Sequence, residues 1–349
     1  MTSCMLRPAR AVITSAVMAL VIAALAGCSF EPEQQIWEIS GPVFGTSYHV
    51  KVVLPEDTDQ LAALAEGIDA ALARVDASMS TWRPDSELSR FNNAADQSQW
   101  FAISTPLYEV LSASLQLSEF SGGSFDITVG PVVNLWGFGP EATPETVPEP
   151  ALLAERMAQT GYRHIELRAD PPAVRTSVPQ YLDLSAIAKG YGTDAVARYL
   201  TDAGIESFLV EVGGEISARG RKPGGDAWRL AIEEPVSDAR RINRIVALDG
   251  QAMATSGDYR NYYESEGKRY SHTIDPSTGK PVSHTLASVT VIAESAMLAD
   301  GYATAFTVLG YEQSRALATR ENMAVYFIVR EEDGFAAYHT PAFSSFLTE

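Results

Sequence analysis

Phe208-Leu209-Val210-Glu211-Val212-Gly213-Gly214-Glu215-Ile216 reads as a strand, a tight turn and a second strand. An apolar run broken by a glycine pair is a hairpin signal. No third glycine follows to open a helix, so the segment carries no dinucleotide-binding fingerprint. Further short strand-like runs lie at 48–54, 228–232, 245–248, 288–292 and 324–329.

Helical patterns stand between these runs. In 58–79, Leu61, Leu64, Ile68, Leu72, Val75 and Met79 fall on one stripe. Thr105 caps a second helix with Pro106 at its first position, and Gly122-Gly123 ends it. A third runs over 185–203 from Ser185 to the stop at Gly204, and a fourth over 295–309 between Ser295 and Gly310. Many short strands joined by tight turns, with a few long helices, predict an α+β fold with mainly antiparallel sheets and packed helices. The proline- and glutamate-rich segment 139–150 is read as an exposed loop inside one domain, because core-like segments continue on both sides.

Residues 1–27 read as a lipoprotein signal peptide. Arg7 and Arg10 form a basic start, 11–24 is an apolar core, and Leu25-Ala26-Gly27-Cys28 has the form of a bacterial lipobox. Cleavage there leaves Cys28 to carry lipid, with 28–40 as a tether and 41–349 as the folded domain. This accounts for both cysteines of the chain, Cys4 and Cys28, and leaves no disulfide or catalytic thiol in the mature protein. The net charge is −18, and losing two arginines makes the remainder more acidic. Such a charge disfavours nucleic acid and anionic lipid surfaces, so membrane attachment falls to the acyl anchor.

The chemistry-bearing residues concentrate between 253 and 304. Asp300 and Thr304 are four residues apart in a predicted helix and so share a face. Paired oxygen ligands suit a hard cation such as Mg2+. His272, in His272-Thr273-Ile274-Asp275-Pro276, and Arg260, in Ser256-Gly257-Asp258-Tyr259-Arg260, suit a phosphate-bearing substrate. The combination points to metal-assisted phosphoryl transfer. By residue type alone, His272 reads equally as a turn-capping histidine, and Arg260 as a partner of Glu264. The run from Asp183 to Tyr191 places Lys189 near a helix start, where free N–H groups favour phosphate. Taken alone, the segment reads rather as a capped helix with a solvated lysine. Glycine-rich 122–139 brings Phe125, Trp136 and Phe138 into play as ring-stacking residues, with Trp136 and Phe138 expected in the core.

Taken together, these motifs resemble the ApbE-type FAD:protein FMN transferases, the flavin transferases. The carrying residues are Gly45-Thr46, Met79-Ser80-Thr81-Trp82, Ser86 to Asn92, Phe125 to Pro131, Asp183 to Gly190, Gly213-Gly214-Glu215, Ser256 to Arg260, His272 to Pro276, and Asp300 with Thr304. The resemblance spans about Phe44 to Gly310. It implies the family's T-fold-related α+β arrangement and transfer of FMN from FAD to a threonine hydroxyl of a target protein, with release of AMP. It further implies Mg2+ held by Asp300, Thr304 and the main-chain oxygen of Ala186. Flavin and adenine contacts would come from Phe44, Trp82, Ser124, Phe125, Asp126, Asp183, Lys189 and Ile274, and His272 would be the base. Phe44 stands where many members have methionine, and Ala303 where some have an acid. Expected targets are extracytoplasmic subunits of membrane redox complexes, met on the periplasmic side of the cell membrane. Two other readings remain at this point: an Mg2+-dependent FAD pyrophosphatase giving FMN and AMP, and a non-catalytic flavin-binding lipoprotein.

Overall fold

The computed structural model describes residues 33–140, 146–236, 241–257, 262–265 and 268–348. The expected leader, Cys28 and Arg260 lie outside them. The framework is an eight-stranded sheet: β1 (Gln34–Val43), β2 (Thr46–Pro55), β3 (Phe208–Val212), β4 (Glu215–Arg219), β5 (Ala252–Gly257), β6 (Leu286–Ala293), β7 (Ala324–Glu331) and β8 (Gly334–His339). Strands neighbour one another in chain order, and every pair is antiparallel. The predicted α+β class with antiparallel pairing is what the chain adopts.

The opening hairpin forms as read. Gly213 and Gly214 have φ of +60° and +106°, and β3 pairs with β4 from Val212 opposite Glu215 to Phe208 opposite Arg219. Two residues at positive φ match the right-handed twist of the flanking strands, which is why glycine stands at both. The β1–β2 hairpin uses the same geometry with Phe44 at φ 49° and Gly45 at φ 74°. A phenylalanine in the left-handed region costs on the order of 1 kcal/mol, so Phe44 is held there by its surroundings.

Four long helices pack about this framework. α1 (Leu61–Met79) buries Leu64, Ile68 and Leu72 against Tyr48, Val50, Val52, Phe208 and Val210. α2 (Thr105–Phe120) joins a second core with Phe91, Phe125 and Leu184. α3 (Ala188–Asp202) lies between α1 and α4 (Ala296–Leu309), and α4 packs on β5 and β6. β6 and β7 are buried on both faces: Val291 and Phe327 meet α4, whereas Ile292 and Tyr326 meet Trp228, Val246 and Phe343 on the other side. Near-continuous apolar strands are the sequence mark of that two-sided burial.

Three expectations change. Part of the span 28–40 expected as a tether is structured, because Gln34–Val43 is the edge strand β1. Its alternating exposed and half-buried residues have no fully buried face to mark them in sequence. Ser104 rather than Thr105 caps α2, its Oγ accepting from the Leu107 amide at 3.3 Å. α3 starts at Ala188, not Ser185. Among the described residues no helix is long and apolar enough to cross a membrane.

Candidate active site

The late start of α3 is the key to the site. In a regular helix the Gly190 amide would bond the carbonyl of Ala186, four residues back. Here it donates to Asp300 Oδ2 at 3.1 Å. Ile187 and Ala188 turn back onto the Leu184 carbonyl, and the Ala186 carbonyl accepts no backbone hydrogen bond among the described residues. The same exchange that orients Asp300 therefore leaves a main-chain oxygen available beside it.

α3 and α4 meet closely at this point. A Cβ on Gly190 would stand 2.3 Å from the Ala296 carbonyl oxygen, a clash with backbone that no rotamer relieves. Asp194, one turn along α3, accepts from the Ala296 and Met297 amides at 2.8 and 2.9 Å and so caps α4, alongside Ser295 Oγ on Leu298 N. Capping by a carboxylate at a helix N-terminus suits both the free amides and the dipole. Gly190→Ala is expected to lower Tm by about 5 °C or more and to abolish activity, measured by thermal melting and turnover.

Asp300 and Thr304 of α4, Ala186, Lys189, Asp183, Ser124, Phe125, Asp126, His272 and Ile274 line one cavity of about 380 Å³. Phe44 and Trp82 do not join them. They line a second, larger cavity of about 1020 Å³, whose walls share Ser185 and Lys189 with the first. Trp82 is 71 % exposed on that rim, and the Phe44 ring lies over Gly192, where a Cβ would come within 2.9 Å of it. The expected flavin and adenine contacts are thus split between two chambers joined at Lys189.

The electrostatics centre on two buried acids and a half-buried lysine. Lys189 Nζ lies 2.5 Å from Glu215 Oε1 and 4.0 Å from Asp300 Oδ2. Burial raises the pKa of Asp300, against the pull of Lys189 and the Gly190 amide. Burial and the Asp300 charge raise the Glu215 pKa, against the pull of the Lys189 ammonium that it pairs with. Burial works against the Lys189 charge, but Asp300 and Glu215 outweigh it and lift its pKa. The ammonium is therefore firmly protonated. Half-buried and paired with Glu215, it is a held cation at the junction of the chambers, where the segment alone favoured a solvated lysine.

Other expected contacts have structural duties as well. Both oxygens of Asp126 are engaged: Oδ1 with the Thr128 amide and hydroxyl at 2.8 and 2.7 Å, Oδ2 with the Tyr162 amide at 3.0 Å. Asp183 accepts from the Ser185 amide at 2.8 Å, and its own amide bonds Ile127 O at 2.7 Å. Its approach is fixed by Asn92, whose amide side chain brackets Leu182 with two bonds of 2.9 Å. Asn92 closes the Ser86-to-Asn92 motif, so that motif acts by placing Asp183.

Burial raises the Asp183 pKa. An acid whose folded pKa is raised costs stability once ionised, increasingly from its unfolded value up through the folded one. Asp183→Asn keeps an acceptor for the Ser185 amide and removes that cost. The variant is expected to melt higher than the parent at pH 7, with the advantage shrinking toward pH 4, while its FAD affinity falls. Melting curves and FAD titration across that range check it.

His272 is half-buried in the wall of the same cavity, in edge-to-face contact with Phe138 at 6.3 Å between ring centroids. Trp136 is a core residue as expected, its Nε1 donating to Gly279 O at 2.8 Å. Phe138 packs against the same core, as expected, and also lines the cavity beside His272. Glu215, which the sequence placed in the hairpin and among the residues of the family resemblance but gave no site role, also lines it. An acid on an inward strand position beside a glycine turn was the available signal.

Among the described residues no group of three or more His, Cys, Asp or Glu side chains is placed to hold a metal ion. The donor set here is different in kind: one carboxylate, one hydroxyl and one carbonyl. No hydrogen bond among the described residues falls on Asp300 Oδ1. Three hard oxygens suit Mg2+, which keeps several positions for water and phosphate oxygens. A soft metal site would require thiolate or imidazole ligands instead.

Known proteins resemble this chain over most of its length. Residues 44–327 match the model of the ApbE family. The FAD:protein FMN transferase of Vibrio cholerae serotype O1 is 44 % identical over 326 residues, covering 93 % of this chain and 96 % of that protein. The FAD:protein FMN transferase of Haemophilus influenzae is 42 % identical over 346 residues, covering 97 % and 98 %. The solved flavin transferase ApbE from Vibrio cholerae superposes with a TM-score of 0.83 at 43 % identity, over 90 % of this chain and all of that one.

Proposed function

The chain belongs to the ApbE family and transfers FMN from FAD to a target protein, and we propose that it does so at the seam between the two chambers, with Mg2+ and a threonine hydroxyl as acceptor. The observation that carries this reading is the convergence of Asp300, Thr304, the Ala186 carbonyl, Lys189 and His272 on one cavity. Each is a group that attack on a diphosphate needs.

FAD would lie across both chambers, with one ring system against Phe44 and Trp82 and the other among Phe125, Asp183 and Ile274. Its diphosphate then falls beside Lys189. Asp300, Thr304 and the Ala186 oxygen would hold the cation, which when bound would supply charge neutralisation and Lewis acidity. Lys189 adds a fixed positive charge that needs no reorganisation during the reaction. His272 takes the proton from the threonine hydroxyl as its oxygen bonds to the phosphorus on the FMN side. The bond from that phosphorus to the bridging oxygen breaks, and AMP leaves with the bridging oxygen. Positioning supplies much of the acceleration, since phosphoryl transfer asks little covalent chemistry of the protein.

We further propose lipidation at Cys28 and action on the periplasmic side of the cell membrane, on extracytoplasmic subunits of redox complexes. Support comes from the basic, apolar and small-residue order before Cys28. One assay tests the chemistry: FAD, Mg2+ and a target bearing an acceptor threonine are incubated with the protein. A covalently fluorescent target with stoichiometric AMP is expected. Free FMN plus AMP with an unlabelled target would mean that water is the acceptor, and intact bound FAD would mean a carrier.

A further inference from the structure

Lys189 stands between two acids, and the structure shows which one holds it. Its ammonium is 2.5 Å from Glu215 Oε1 but 4.0 Å from Asp300 Oδ2. The first is a hydrogen-bonded ion pair; the second is a charge interaction without contact. Glu215 is only 3 % exposed. Its other oxygen, Oε2, is buried with no hydrogen-bond partner among the described residues, so the carboxylate is oriented chiefly by the lysine. The lysine stem is confined too: a Cβ on Gly213 would stand 3.2 Å from Lys189 Cδ. One turn along α3, Thr193 Oγ1 donates to the carbonyls of Lys189 and Glu215 at 3.1 and 3.3 Å. The strand carrying Glu215 and the helix carrying Lys189 are thereby fastened at the height of the ion pair.

An ammonium and a divalent cation compete for the same carboxylate. If Lys189 closed on Asp300, it would occupy the charge that the metal needs. We propose that Glu215 is a positioning residue of the transfer reaction, which parks the Lys189 ammonium at the chamber junction and so leaves Asp300 open to Mg2+. The inference rests on the reading of Asp300 as a magnesium ligand. It assigns Glu215 a role that runs entirely through Lys189. A glutamate at this strand start, rather than a neutral residue of the same size, is explained by that role. Gln would satisfy the space but would not hold the ammonium against a neighbouring aspartate.

The test is a double-mutant cycle read by Mg2+ binding, not by turnover alone. The intact protein, freed of FAD, is titrated with MgCl2 by calorimetry, and the Mg2+-dependent rise in Tm is measured in parallel. The variants are Glu215→Gln, Lys189→Met and both together. Glu215→Gln is expected to raise the Mg2+ dissociation constant about tenfold, because Asp300 becomes the ammonium's only near acid. Lys189→Met is expected to tighten Mg2+ binding while weakening FAD binding. The double variant has no buried ion pair left to disturb folding. It is expected to return to within about threefold of the parent for Mg2+. A double variant as weak as Glu215→Gln would mean that Glu215 acts without Lys189, and would overturn the inference. Unchanged Mg2+ binding in Glu215→Gln would overturn it also, while leaving Asp300 as a ligand. No Mg2+ binding by the parent would overturn both readings.

Discussion

Asp300→Ala is expected to lower kcat/KM for FMN transfer by about 10³-fold or more and to remove its stimulation by Mg2+. Asp300 is the single carboxylate among the three proposed donors, and it is 6 % exposed on a helix packed against β5 and β6. Its removal leaves the Thr304 hydroxyl and the Ala186 carbonyl, two neutral oxygens that cannot match a divalent charge. The fold should survive, because Lys189 keeps its contact with Glu215 and α4 keeps its caps from Ser295 and Asp194. The Gly190 amide loses its acceptor, a cost of about 1–3 kcal/mol that stays within the stability of a domain this size. Covalent flavin fluorescence of the target, followed across a Mg2+ series, measures the effect. A variant with unchanged Mg2+ stimulation would remove Asp300 from the metal site.

The second large effect is expected at His272. His272→Ala should lower kcat by about 10²- to 10⁴-fold, the usual contribution of a general base, with FAD affinity unchanged within about twofold. The separation follows from geometry. Of the groups proposed to bind FAD, Ile274 neighbours His272 in the chain, whereas Lys189, Asp183, Phe125, Phe44 and Trp82 lie on other segments and keep their places when the imidazole is removed. FAD binding by fluorescence quenching and transfer to the target are measured on the same preparation. Normal turnover by the variant would take histidine out of the mechanism.

How much of this was legible in sequence differs by feature. The hairpin at Gly213-Gly214 was fully readable, because only glycine serves two successive positive φ positions cheaply. The helix from Ala296 to Leu309 was readable from Ser295 and Gly310, and with it the shared face of Asp300 and Thr304. The start of the preceding helix was not. Ser185 has a capping side chain, but a tertiary partner, Asp300, takes the Gly190 amide and shifts the helix by three residues. No local pattern encodes that exchange. The edge strand from Gln34 to Val43 was hidden because it buries no complete face. Glu215 and Asp194 were missed for a shared reason: their partners lie 26 and about 100 residues away in the chain, and only the packing of α3 on β4 and α4 brings them together. The family resemblance supplied candidates that spacing could not, such as Phe44 and Trp82. The structure then placed those two in a separate chamber.

The most direct test of the central claim is a crystal structure with FAD and Mn2+, the manganese located by its anomalous signal in place of magnesium. The expected map has the cation about 2.2 Å from the Asp300 carboxylate, touching the diphosphate, with Lys189 on the other side of the same phosphates. A diphosphate bound elsewhere, or a cation that ignores residue 300, would contradict the account.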